Sequence, residues 1–203
     1  MLRPSGLPCA LVVVASWLSP AVAIGSEPTV EALVARLGGT LERDGGQPGQ
    51  PIVRIDLHGS AVTDADLAAI GRVTTLRQLD LRKTSVADAG LFHLRRLWAL
   101  ETLNLFRTGI GDAGLAQLAG LTALRTLLVG GTRVTDAGLV HLRRLKELRK
   151  LSVFDTAVGD AGLEHLAALP VLETVLTARS KVTPEGQSAL RARSPNISFE
   201  EPT

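Results

Sequence analysis

The stretch Leu76-Arg77-Gln78-Leu79-Asp80-Leu81-Arg82-Lys83-Thr84-Ser85-Val86-Ala87-Asp88-Ala89-Gly90-Leu91 contains two periods in succession. Leu79 and Leu81 alternate with polar residues, the period of a strand with one buried face. From Asp88 onward the apolar positions Leu91, Leu94 and Leu97 fall every third residue, which fits a short helix whose stripe turns back onto the same core. Asp88 stands at the helix start, where a carboxylate would accept backbone N–H groups and complement the helix dipole, so it is expected to be an N-cap.

The same pattern recurs along the chain. Ile55, Leu79, Leu103, Leu127, Leu151, Val175 and Phe199 lie 24 residues apart. Val62, Val86, Ile110, Val134, Val158 and Val182 form a second column at that spacing, and Leu67, Leu91, Leu115, Leu139 and Leu163 a third. Asp64, Asp112, Asp136 and Asp160 repeat the position of Asp88. One such unit cannot bury its own apolar face, whereas a stack of them buries a continuous core.

The L-x-x-L-x-L-x-x-T pattern resembles the leucine-rich repeat. Its T-x-V-x-D-A-G-L continuation, as in Thr132-Arg133-Val134-Thr135-Asp136-Ala137-Gly138-Leu139, is similar to ribonuclease-inhibitor-like and F-box-associated repeats and to secreted bacterial repeat proteins. The resemblance spans about residues 52–199. It implies an α/β solenoid of six 24-residue repeats plus caps, with a curved parallel sheet on the concave face and short helices on the convex face. Strands spaced about 4.8 Å apart and helices about 8–10 Å apart require that curvature. The expected layout is a signal peptide over 1–23, a cap helix and linker over 24–51, repeats over 52–190, and a cap strand and tail over 191–203.

Composition agrees with a regular, burial-stabilised molecule. Of 203 residues 35 are leucine, basic and acidic side chains number 22 and 20, and there are one Cys, no Tyr and six aromatics. Disorder, a disulfide framework and a strongly charged nucleic-acid arm are all excluded. The N-terminus has an early Arg3, an apolar segment from Ala10 to Leu18 and the small-x-small site Ala21-Val22-Ala23, the layout of a secretory leader cleaved after Ala23. Nine apolar residues do not span a bilayer, so no membrane span is expected in the mature chain. Cleavage would also remove Cys9, and with it any thiolate chemistry.

Candidate chemistry reduces to structure. The column Thr84, Thr108, Thr132 and Thr156 has no recurring His or Lys base and is expected to bond backbone groups of the adjacent turn. The Asp column needs no calcium if each member caps a helix. His93, His141 and His165 stand on successive or alternate helices, too far apart to converge on zinc. Arg95-Arg96 and Arg143-Arg144-Lys146, interspersed with Glu147, Glu164 and Glu173, read as a charged outer face ahead of a site for an anionic partner. No catalytic residue, metal or cofactor is expected.

The strand residues that the core does not use line the concave face. Among them Asp80, Arg82, Asn104, Phe106, Leu128, Lys150, Ser152 and Phe154 are the candidate ligand-binding residues. Phe106 and Phe154, two strand spacings or roughly 9–10 Å apart over Gly130, either leave a slot that a ligand side chain could enter or fold each over its own strand end onto the following loop. The expected function is a non-catalytic module that binds a protein or peptide outside the cytoplasm. A self-associating envelope component is the alternative, and a ubiquitin-ligase-adaptor-like protein a minor one. Nucleic acid is not expected as a partner. Asn196-Ile197-Ser198 also matches a glycosylation sequon.

Overall fold

A computed structural model describes residues 29–200; the leader proposed for residues 1–23 lies outside the described residues. Each 24-residue unit makes one strand and one helix. After helix α1 (Val30–Arg36) and strand β1 (Thr40–Arg43) come β2 (Ile52–Asp56), α2 (Leu67–Ile70), β3 (Gln78–Asp80), α3 (Asp88–Leu94), β4 (Thr102–Asn104) and α4 (Asp112–Leu118). The order continues through β5 (Thr126–Leu128), α5 (Asp136–Leu139), β6 (Lys150–Ser152), α6 (Asp160–Leu166), β7 (Thr174–Leu176), α7 (Pro184–Arg193) and β8 (Ser198–Phe199). Repeat one begins at Ile52.

The eight strands form one sheet in chain order. From β2 to β8 they pair in parallel, with Ile55, Leu79, Leu103, Leu127, Leu151, Val175 and Phe199 directly opposite one another. The apolar columns of the sequence are therefore the rungs of the sheet, and the α/β solenoid expected from the 24-residue period is the observed fold. Strand β1 departs from the parallel arrangement: it runs antiparallel to β2, with a register shift between Glu42 and Arg43. A short connection allows a hairpin, whereas a parallel partner would need a crossover.

The core is a continuous column of leucine, valine and isoleucine between sheet and helices, with almost every member of the repeating columns wholly buried. Successive helices stack on one another on the other side of that core. In repeat four the helix stops at Leu139 and continues as a 3₁₀ turn over Val140–Arg144, with the β-branched Val140 at the junction.

The threonine column does what its hydroxyls allow. Thr84, Thr108, Thr132 and Thr156 are buried, and each donates its Oγ1–H to the carbonyl three residues before it, at 2.7, 2.7, 2.6 and 2.6 Å. The bond closes the turn that follows each strand.

The aspartate column behaves differently from the N-cap expectation. Asp88 is the first helical residue, and its cap position, Ala87, offers no side-chain bond. Its carboxylate reaches instead into the next repeat, where Oδ1 accepts from Gly111 N at 2.6 Å. Asp64, Asp112, Asp136 and Asp160 likewise accept from Ala87 N, Thr135 N, Gly159 N and Thr183 N at 2.7–2.8 Å. Each aspartate thus satisfies an N–H ahead of the following helix, 23 residues on. The glycine of the D-A-G triplet makes this possible: a Cβ at Gly114, Gly138 or Gly162 would stand 2.4–2.5 Å from the Oδ1 of the preceding repeat's aspartate.

Pro184 occupies the aspartate position in repeat six, so the series of links ends there. Thr183 caps α7 by accepting from Gly186 N at 3.1 Å.

Candidate concave-face interface

The candidate residues come from strands β3 to β6 and the turns after them, and the structure divides them into a polar and an aromatic half. In the polar half one bond recurs on three neighbouring strands. Asp56 Oδ1 accepts from His58 N at 3.0 Å, Asp80 Oδ1 from Arg82 N at 3.0 Å, and Asn104 Oδ1 from Phe106 N at 3.1 Å. Short Asp and Asn side chains favour this local bond to the backbone two residues on. Asn104 Nδ2 then donates to Asp80 Oδ2 at 3.1 Å, and Arg82 Nε lies 3.4 Å from the same carboxylate. Asp80 and Asn104 therefore use much of their hydrogen-bonding capacity on the scaffold, and Asn104 is buried.

Burial works against the charge on Asp56. The His58 N–H, the His58 ring and the Arg82 charge together outweigh that burial and hold the carboxyl below its ordinary value of 3.8. Asp66, at the other side of repeat one, follows the same balance. Burial opposes its charge, and the Thr63 N–H and hydroxyl with the Arg36 guanidinium overcome it.

Leu128 ends the row of Asx side chains, and beyond it the face becomes apolar. Ser152 sits between Leu128 and Leu176 of the flanking strands, and its small side chain is buried. Lys150 is half-buried at the start of β6, its Nζ 3.7 Å from Glu200.

The candidate slot between the two phenylalanines is closed. Phe106 and Phe154 lean toward each other, with ring centroids 6.3 Å apart and planes inclined by 38°, a favourable aromatic contact. Gly130 lies between their strands and permits this. A Cβ there would stand 3.0 Å from Phe106 Cδ2 and 3.0 Å from the Phe154 carbonyl oxygen. Both rings are half-buried, so what they offer is a shared apolar ledge.

Three residues that the sequence reading passed over border this ledge. The Arg107 guanidinium stands 5.3 Å from the Phe106 centroid, and that of Arg179 stands 5.8 Å from the Phe154 centroid, within cation–π range. Asp155 accepts from Arg179 Nε at 3.2 Å. All three have left-handed backbone, with φ of 54° at Arg107, 60° at Arg179 and 53° at Asp155, as does Lys83 at 57°. Gly59 and Gly131 fill the same turn position in repeats one and four, with φ of 65° and 66°. Glycine at two members of one 24-residue column was the signal available in the sequence.

Among the described residues no three His, Cys, Asp or Glu side chains converge as a metal site would require. No helix there is long and apolar enough to cross a membrane.

Parallel strands in strict register, one helix per unit and a threonine-closed turn define a leucine-rich-repeat solenoid. Residues 100–119, most of repeat three, match the family model described as Leucine Rich repeat. Two solved structures share the fold. The leucine-rich-repeat ectodomain of the receptor kinase SOBIR1 from Arabidopsis thaliana is 16% identical with a TM-score of 0.51, over 84% of this chain and 87% of that one. An internalin, inlF, from Listeria monocytogenes is 18% identical with a TM-score of 0.54, over 84% of this chain and 54% of that one. The chain thus aligns with about half the internalin's length. At these identities the likeness is one of fold. No curated protein matches the chain.

Proposed function

We propose that this chain is a non-catalytic recognition module that acts outside the cytoplasm and binds a protein or peptide on its concave sheet face. The observation that carries the reading is the Phe106–Phe154 ledge over Gly130, bordered by Arg107 and Arg179. An aromatic pair with arginines at its rim has the composition that dominates protein interfaces, and rigid neighbouring strands hold it in place. Asp80, Arg82, Asn104, Leu128, Lys150 and Ser152 shape the floor and flanks of the same face. Action outside the cytoplasm rests on the leader-like residues 1–23; the same fold serves as an ectodomain in the Arabidopsis receptor kinase. The T-x-V-x-D-A-G-L continuation supports a ribonuclease-inhibitor-like subtype.

The test is partner capture from extract of the protein's own source, run in parallel with three forms of the full chain. A specific protein retained by the wild type and by Phe92→Ala/Trp98→Ala, but lost from Phe106→Ala/Phe154→Ala of unchanged circular dichroism, supports the concave site. Retention by the Phe106/Phe154 variant overturns it. Recovery of the chain alone, with a size that grows with concentration, favours self-association.

A further inference from the structure

The most exposed large apolar side chains among the described residues lie away from the Phe106–Phe154 ledge. Among the described residues, the large hydrophobics that stand most open to solvent are Trp98 at 65%, Phe92 at 45% and Val140 at 38% relative exposure. Phe92 and Val140 stand in the helical segments of repeats two and four and Trp98 in the turn that follows α3, whereas Phe106 and Phe154 are half-covered. Between them repeat three contributes only low relief, with Ala113 and Ala116 on α4 and Gly120 after it.

The charge around these side chains is mostly positive. Arg95 lies over the Phe92 ring at 3.8 Å, and Arg96, Arg143 and Arg144 are exposed with no ion pair among the described residues. The carboxylates of these three helices are withdrawn from the surface, because Asp88, Asp112 and Asp136 accept N–H groups of the following repeat. The acidic side chains beside it are Glu147, three residues after Arg144, and Glu164, one repeat on from Val140. Lys146 is turned away, its Nζ donating to the Ala168 carbonyl at 2.8 Å.

We propose that this helical face, through Phe92, Trp98 and Val140 with Arg95, Arg96, Arg143 and Arg144, docks the protein on an anionic lipid surface. Charge complementarity selects the anion: unpaired guanidiniums meet headgroup phosphates without first breaking an internal pair. The aromatic and branched side chains select a lipid surface over a soluble polyanion, since an indole beside arginines suits the boundary between headgroups and acyl chains. Geometry agrees. The repeat-two and repeat-four groups lie two helix spacings apart, roughly 16–20 Å, and do not converge on one point. The helical side of an arc is its outer side, so it meets a plane at a tangent. Such docking leaves the concave ledge open to a partner.

The experiment uses the full chain carrying Trp17→Phe, which leaves Trp98 as the only indole. Vesicles of phosphatidylcholine alone, or with phosphatidylglycerol, are titrated at low and high salt. Trp98 emission and its quenching by brominated acyl chains are read. The expected result is a shift of Trp98 emission to shorter wavelength with bromine quenching on the anionic vesicles, weakened by salt. Arg96→Gln/Arg143→Gln/Arg144→Gln should lower the apparent affinity about 100-fold. Where that variant fails to fold, Phe92→Ala should reduce the emission shift in a chain of unchanged circular dichroism. Three results overturn the proposal: vesicle binding with Trp98 unshifted, which would place attachment in another segment; equal shifts on neutral and anionic vesicles; and a Trp98 shift with poly-glutamate in the absence of any response to vesicles, which would assign the face to an acidic protein.

Discussion

At the level of single residues, the most informative pair is an aspartate and the glycine 26 positions after it. Asp112 accepts from Thr135 N at 2.8 Å and Thr135 Oγ1 at 2.7 Å, while a Cβ at Gly138 would stand 2.4 Å from Asp112 Oδ1. Helix propensity alone would favour alanine over glycine at position 138 by about 1 kcal/mol. The glycine is explained by the carboxylate it accommodates. Asp112→Ala should cost about 2–3 kcal/mol, from two bonds to a charged acceptor, and Gly138→Ala about 1–3 kcal/mol from overpacking. The double variant should cost little more than Asp112→Ala, because the obstructing oxygen is gone. Urea unfolding of all four forms gives the coupling energy, and simple additivity would refute the link. The sequence shows that an aspartate recurs here, but not its partner. One residue separates an N-cap from the first helical position, and the accepting geometry spans two units.

At the level of elements, the turn after each strand carries the cost. Lys83, Arg107, Asp155 and Arg179 occupy a left-handed conformation that costs an L-residue about 1–2 kcal/mol. Glycine avoids that strain but loses roughly 0.5–1 kcal/mol more in backbone entropy on folding. Lys83→Gly should therefore raise stability by about 0.5–1 kcal/mol, seen as a higher urea midpoint at unchanged slope. Gly131→Ala should act in the opposite sense, since its Cβ would also stand 2.8 Å from Arg107 Cγ. Strand register was legible down to the residue, because Leu103 and Leu127 can only be neighbours if the period is kept. The phenylalanine ledge was not. Column positions place Phe106 and Phe154 two strands apart, but the lean of each ring depends on the space that Gly130 leaves between them.

At the level of the molecule, the ends and faces differ more than the repeats do. Arg36 of α1 ties the N-terminal cap to Asp66 of repeat one at 2.8 Å, and Asp56 is held by His58 on the opposite face. Both carboxyls have folded-state values below 3.8. Their contribution is therefore complete above that pH and is lost as pH falls through the lowered folded value. Thermal midpoints measured from pH 5 to pH 2 should decline, and Asp56→Asn/Asp66→Asn should flatten that decline; equal slopes would refute it. Which face carries open hydrophobics was hidden from the sequence, because Phe92 and Phe106 look alike until neighbours cover one and leave the other open. The aspartate links point to a broader consequence. Every junction from repeat one to repeat six has an aspartate meeting the backbone N–H 23 residues on, with a threonine hydroxyl added at those entering repeats four and six. Length in such a chain is a free variable: duplication or loss of one 24-residue unit keeps an aspartate-to-backbone seam, and evolution can tune reach without redesigning the fold.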